Sequence, residues 1–330
     1  MKIDVFPHIG TSRYKDALLS KVPRESMWYK HLDGIQALVD IDARIKIMDK
    51  YEGLAQVLTM TGPPVEEVCG PEYATELARI ANDELAGLVS KYPDKFIAAA
   101  ACLPMNDMDA TLKELDRAIT ELGFKGAQIY TNINGKPLDS PEFMPLYEKM
   151  ESYDLPIWIH PHRNKNVADY PTESESQYHI QAAFGWPYES TAAMTRLIFS
   201  GVLDKYPRIK IIIHHAGAMI PFLANKTELV YDLLQTQPGY TFISKLPKAP
   251  LDYYRMFYVD TSVSGNTSAL MCAHAFYGAD HMLFGTDMPY DRGNGDIKVR
   301  ETIRSIEEMA ISESDKQKIF EGNAKKLLHL

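Results

Sequence analysis

Four apolar runs in this sequence end on side chains that can bind a metal or move a proton. KIDVFPH stops at His8, PIWIHPH at His160 and His162, KIIIHHAG at His214 and His215, and MLFGTDMPY delivers Asp287 through a Gly-Thr step. A fifth run, FYVDTSV, adds Asp260. Of the ten histidines in the chain, five stand at these exits, a concentration that random placement rarely produces. Imidazole nitrogen with carboxylate oxygen suits Zn2+, Mn2+ or Fe2+, and three protein ligands with one open position are what a catalytic zinc-type site requires. His8, His160 and Asp287 supply that number. Taken singly, His8 is explained as a loop residue and Asp287 as a helix cap; convergence from three separate runs argues for a metal.

Regular elements must hold those exits in place. Lys2 to His8 alternates with period two, setting Asp4, Phe6 and His8 on one face and Ile3 and Val5 on the other. Seven more strand-like runs follow, at 56–60, 96–103, 125–131, 156–162, 210–215, 257–263 and 282–288. Helical stretches separate them: 41–51 closed by Gly53, 71–92 opened by Pro71 and stopped by Pro93, about 107–122 closed by Gly123, then 141–153, 188–206, 218–234 and 267–277. Two more helices begin near Asp296 and Ser312.

Short apolar strands alternating with helices of this length are the pattern of a parallel sheet with crossover helices. Eight repeats favour an α/β fold of the (β/α)8 TIM-barrel kind. The alternative, a doubly wound open sheet, would carry a Gly-rich phosphate turn after its first strand, where this chain reads PHIGTSR. The expectation is a single domain over 1–330 with an N-terminal insertion after strand 1. That insertion, 9–39, lacks clean periodicity and carries Arg13, Arg24, Trp28, Tyr29 and His31. It reads either as a lid or substrate loop or as a peripheral excursion. In such a barrel catalytic residues sit at the C-terminal strand ends, which is where the histidines and aspartates fall. His214 and His215 are adjacent, so on a strand only one of them faces the site, and spacing leaves open which.

Composition excludes several classes. With 45% hydrophobic and 24% charged residues the chain is an ordinary globular one. A net charge of −9 without a Lys/Arg cluster argues against nucleic acid. No apolar stretch approaches the roughly 20 residues that span a bilayer, and no secretory signal opens the chain. Three cysteines, Cys69, Cys102 and Cys272, form no CxxC pair, which fits a reducing, cytoplasmic setting.

Together these runs resemble the amidohydrolase superfamily, in the branch containing aminocarboxymuconate semialdehyde decarboxylase, γ-resorcylate decarboxylase and 5-carboxyvanillate decarboxylase. The similarity rests on IDVFPH, IWIHPH, the block GWPYESTAAMTRLIFSGVLDKYPRIKIIIHHAGAMIPF, FGTDMPY and the terminal EGNAKKLL. It implies one divalent ion, Zn2+ or Mn2+, bound by His8, His160 and Asp287, with His215 as acid/base or substrate-activating residue. It also implies a homodimer. The chain departs from the pattern in its first strand, where relatives carry His-x-His or Glu-x-His and this one has Phe6-Pro7-His8. Phenylalanine binds no metal, and Asp4 lies two positions deeper, about 6 to 7 Å away at strand rise. The change leaves either a three-ligand site or a barrel without metal.

The leading expectation is non-oxidative removal of CO2 from a small aromatic or unsaturated carboxylic acid, with Asp287 or His215 delivering a proton to the carbon that loses CO2. Phe6, His162, Trp186, Tyr188, Tyr290 and Arg292 are candidate pocket walls, and Arg163 or Arg292 a candidate carboxylate fork. The same architecture serves a lactone, amide or C–C hydrolase or a hydratase, and a metal-free barrel with altered activity is the reading that Phe6 motivates.

Overall fold

The computed structural model describes residues 1–25 and 27–330, excepting the side chains at 27, 28, 31 and 244, so the expectations for Trp28 and His31 lie outside the described residues. The strands, in chain order, are β1 Lys2–Asp4, β2 His8–Ile9, β3 Leu54–Met60, β4 Phe96–Ala99, β5 Ala101–Cys102, β6 Ala127–Tyr130, the hairpin β7 Asn132–Ile133 and β8 Lys136–Pro137, then β9 Pro156–His160, β10 Lys210–Ile213 and β11 Tyr258–Val259. Every pairing outside the hairpin is parallel. One sheet places β1 and β2 on one side of β3 and β4 on the other; the second runs β11-β10-β9-β6-β5. The predicted strand 96–103 joins them by switching partners at Ala100: the Ala100 N–H donates to Leu58 O, and the Ala101 N–H to Gly126 O.

Three predicted strands differ from expectation, and all carry site residues; of these, 257–263 keeps only Tyr258–Val259. Lys2–His8 is broken between β1 and β2, where the Asp4 carboxylate accepts the Phe6 N–H at 3.2 Å. The expected alternation is lost there, and Ile3, Val5 and Phe6 share one apolar cluster. The stretch 282–288 forms only an isolated bridge, Val259 to Met282. Side chains have taken over its backbone partners. Thr261 Oγ1 accepts the Gly285 N–H, Asp4 accepts the Thr286 N–H at 3.0 Å, and Thr286 Oγ1 accepts the Met288 N–H. The segment still touches both flanks: Leu283 N–H donates to Val259 O, Val5 N–H to Phe284 O, Asp287 N–H to Phe6 O and His8 N–H to Met288 O. A Cβ on Gly285 would stand 2.8 Å from the Asp260 Cβ, so only glycine lets these chains approach so closely.

Strand alternation sorts the core into two clusters. Leu58, Ala99, Ile157, Ile159, Ile211 and Ile213 face the helices. Val57, Ala98, Trp158, Ile212 and Leu283 face the opposite way, with Leu327 and Leu328 of the terminal helix Asn323–Leu328 packed beneath them. On that second face the Trp158 indole N–H donates to Val5 O at 2.9 Å.

Residues 9–39 are largely helical, in three short pieces, Ser12–Leu19, Met27–Gly34 and Gln36–Val39. Pieces of one or two turns are too short to display a period, which is why the sequence showed none there. Tyr14, Leu18, Leu32 and Leu38 bury themselves in the main core. No helix among the described residues is long and apolar enough to cross a membrane.

Candidate active site

The second face of the sheet carries the chemistry at its C-terminal strand ends. Trp158 and Ile212 point into that side, so the residues two positions on, His160 and His214, point the same way. Metal-competent side chains form two groups among the described residues, His8 with His160 and His214, and His214 with His215 and Asp287; in each, the ligand atoms lie within 4.8 Å of one another. His214 belongs to both. Asp287 Oδ1 stands 3.4 Å from His8 Nε2 and 3.4 Å from His214 Nε2, and the His8 and His160 rings are 4.9 Å apart. Of the three expected ligands, His8 approaches both His160 and Asp287, while His160 and Asp287 fall in separate groups that His214 links.

The expectation that one of the adjacent histidines must turn away is corrected here. Strand β10 ends at Ile213, and His215 has φ 60, so strand alternation no longer applies. A left-handed run through Ala216, Gly217 and Ala218 brings His215 round to stack on His214 at 3.9 Å. Asp260 fixes this turn. Its carboxylate hydrogen-bonds His214 Nδ1 and accepts the N–H groups of Ala216 at 3.1 Å and Ser262 at 3.0 Å, all fully buried.

Charge follows from these contacts. Burial would push the His214 imidazole down, but Asp260 and Asp287 outweigh it and raise its pKa to about 9. Burial raises carboxyl pKa values, yet Lys298, His214 and His8 hold Asp287 well below the usual range, and His214 holds Asp260 down. His8 and His160 are pushed down by burial first, and burial plus the His214 charge takes His215 to about 3. These three rings are neutral at physiological pH and keep a lone pair. His160 Nδ1 is held by Pro161 O at 2.7 Å, which leaves Nε2 free to bind a metal, while buried His8 Nδ1 has no hydrogen-bond partner and Nε2 faces Asp287 Oδ1 at 3.4 Å. An orphaned imidazole beside a second, oriented one and an ionised carboxylate fits a divalent transition metal.

Phe6 lies inside this group. Its ring stacks on His214 at 3.9 Å and stands 5.6 Å from His8. Asp4 does not replace it as a ligand, because its carboxylate is occupied by the Phe6 N–H, the Thr286 N–H and hydroxyl, and Gln56. Trp186 meets His160 edge-on at 5.9 Å, and Tyr290 lies 5.4 Å from His8. His162 and Arg163 line the adjoining pocket of about 770 Å³ with Trp186, Lys21, Lys30 and Lys165. Each already has a partner, His162 with Glu67 at 2.8 Å and Arg163 with Glu189 at 2.8 Å, so neither is a free carboxylate fork. Tyr188 and Arg292 lie exposed.

Two residues without a sequence signal enter the site. Lys298, in the helix Asp296–Glu307, sets its ammonium 2.6 Å from Asp287 Oδ2, leaving Oδ1 toward the histidines. A lysine in a first helical turn announces nothing by itself. Glu66 is the other, buried in the short helix Val65–Val68, where burial pushes its carboxyl from 4.5 up to about 8. Between those values the native state holds a proton that the unfolded chain has released. Stability from this group is thus full at acid pH and falls as pH rises toward 8, by about 1.4 kcal/mol per pH unit. Urea unfolding across that window should find Glu66→Gln gaining on the wild type by about this slope; a constant difference would refute it.

Comparison with known proteins shows the family. The amidohydrolase family model matches residues 41–330. The chain is 33% identical over 301 residues to gamma-resorcylate decarboxylase of a Polaromonas species, covering 89% of each. It is 31% identical over 291 residues to 2-amino-3-carboxymuconate-6-semialdehyde decarboxylase of Dictyostelium discoideum, covering 88% of this chain and 77% of that one. The crystal structure of 5-carboxyvanillate decarboxylase from Novosphingobium aromaticivorans, complexed with manganese and 4-hydroxy-3-methoxy-5-nitrobenzoic acid, superposes with a TM-score of 0.86 at 26% identity, covering 100% of this chain and 96% of that one. By sequence, fold and the histidines gathered at its strand ends, the chain belongs to the amidohydrolase superfamily, in the branch of the gamma-resorcylate and aminocarboxymuconate semialdehyde decarboxylases.

Proposed function

We propose that this chain is a metal-dependent, non-oxidative decarboxylase of a small aromatic carboxylic acid. The observation that carries the reading is the meeting of two metal-competent groups, His8 with His160 and His214, and His214 with His215 and Asp287, where His8 Nε2 stands 3.4 Å from Asp287 Oδ1 and His8 Nδ1 has no hydrogen-bond partner. His8, His160 and Asp287 would hold one divalent ion, Mn2+ or Zn2+, which when bound supplies Lewis-acid attraction for the substrate's carboxylate and hydroxyl oxygens.

The chain's own residues handle the proton. His214, charged between Asp260 and Asp287, stores it, and its Nε2 faces Asp287 Oδ1 at 3.4 Å. Asp287 passes it to the ring carbon that bears the carboxylate. The C–C bond then breaks, its electron pair returns to the ring, and CO2 leaves; the transferred proton remains on the ring and solvent restores the one on His214. His215 Nδ1, buried, neutral and unpartnered, accepts a hydrogen bond from a substrate hydroxyl. Trp186 and Tyr290 wall the ring.

Contacts of 283–288 with both flanking strands support closure of the sheet into a (β/α)8 barrel, one domain over 1–330 with helical 12–39 inserted after strand 1. The exposed Phe222, Leu229 and Leu233 of helix Ile220–Gln235 support a homodimer. Three free thiols support a cytoplasmic setting. The test is CO2 release from a panel of hydroxybenzoates by Mn2+- or Zn2+-loaded protein in 18O-labelled water. CO2 with the corresponding phenol is expected; a product that gains a water-derived oxygen without CO2 would turn the assignment to hydrolysis or hydration.

A further inference from the structure

Beside the metal-competent cluster lies a small, partly open hollow that the proposed chemistry does not use. Its wall includes Tyr14, Thr61, Pro63, Glu66, Gln128 and Tyr130. It measures about 10 Å³ as space open to the centre of a water molecule, room for one oxygen-sized group. Three buried polar atoms on this wall lack a hydrogen-bond partner: Tyr14 Oη, Glu66 Oε1 and Gln128 Oε1. Their residues are 0%, 4% and 6% exposed. Buried polar atoms are seldom left unpaired, so three around one hollow mark a missing group.

Their chemistry specifies it. Gln128 Nε2 donates to Met60 O at 2.9 Å, which fixes Oε1 as an acceptor. Tyr14 offers an O–H, and Glu66, held neutral by burial, offers another. One hydroxyl answers all three, giving its hydrogen to Gln128 and receiving the other two on its lone pairs. The hollow adjoins the site, since Pro63 also lines the large pocket, Tyr130 stands 5.4 Å from His160, and Thr61 hydrogen-bonds Tyr290.

We propose that Tyr14, Glu66 and Gln128 form a hydroxyl subsite, filled by a ring hydroxyl of the aromatic ligand, or by a water when the ligand carries none to place there. This rests on the reading of the substrate as an aromatic acid, and it selects substrates bearing a second hydroxyl away from the reacting edge. Binding of phenol, catechol, resorcinol and hydroquinone, which cannot lose CO2, tests it without requiring turnover. NMR titration of metal-loaded wild type, Tyr14→Phe and Glu66→Leu, which removes the donor at that position, gives the affinities. One benzenediol is expected to bind about tenfold more tightly than phenol, and each substitution to cut that preference below about threefold. Equal affinities for all four phenols, or a preference that survives both substitutions, would overturn the subsite and leave a water in the hollow. Should Tyr14→Phe fail to fold, Glu66→Leu decides alone. A wild type that shows no preference among the phenols while releasing CO2 rejects only the subsite, and absent CO2 release with the preference present and substitution-sensitive rejects only the decarboxylase reading.

Discussion

His160→Ala is expected to strip the protein of its divalent metal and to lower kcat/KM for decarboxylation by roughly a thousandfold or more. Loss of an outer-shell partner of a metal ligand already costs about 10 to 100-fold, and a ligand itself costs more. His160 is fixed on every side: its Nδ1 meets Pro161 O, and its ring is bordered by His8, His214, Tyr130 and Trp186. The neighbouring His214 imidazole is already engaged by Asp260 and Asp287, so it does not replace the lost nitrogen. With Phe6 occupying the place where relatives are expected to carry a further ligand, the site has none to spare. Elemental analysis of protein purified without chelators should find about one Mn or Zn per chain in the wild type and little in the variant. His162→Ala is the control, because His162 pairs with Glu67 and should leave the metal in place. Metal retained by His160→Ala, or none taken up by the wild type on reconstitution, would remove the ion from the mechanism.

Asp260→Ala is expected to destabilise the fold by about 3 to 5 kcal/mol, the usual cost of leaving one partner of a buried pair without the other. The pair with His214 is fully buried, and the same carboxylate also holds two backbone N–H groups. Denaturant unfolding measures the loss. Asp260→Asn separates shape from charge: it can still accept hydrogen bonds but lacks the negative charge that keeps His214 protonated. Its folding should be largely retained while kcat falls by about a hundredfold, in the range for a lost acid/base partner. Equal stability and activity in Asp260→Asn and wild type would show that His214 does not need its counter-charge and would sink the proton store proposed above.

Much of the fold was legible because parallel α/β proteins repeat one sequence rhythm, apolar run then helix, and most runs here keep it. The stretch 282–288 misled the strand reading for a physical reason: it is apolar like a strand, yet Asp4, Thr261 and Thr286 side chains take backbone hydrogen bonds that a ladder would hold. Residues 9–39 hid their helices by cutting them to one or two turns. His214 could have been read in phase with Ile212 as His160 is with Trp158, whereas His215 could not, because its approach depends on a left-handed turn beyond the strand end.

The sequence by itself determined the superfamily, the parallel α/β plan and the set of side chains able to bind a metal, because residue type and strand period are local properties of the chain. Only the tertiary structure decided which atoms meet. It set His214 between the two metal-competent groups, charged it through Asp260, laid Phe6 against it, turned Lys298 onto Asp287 and left Tyr14, Glu66 and Gln128 facing a common hollow. Those are contacts between residues as far as 282 positions apart, as in Asp4 with Thr286, and burial and charge at such distances arise only when the strands carrying them pack side by side.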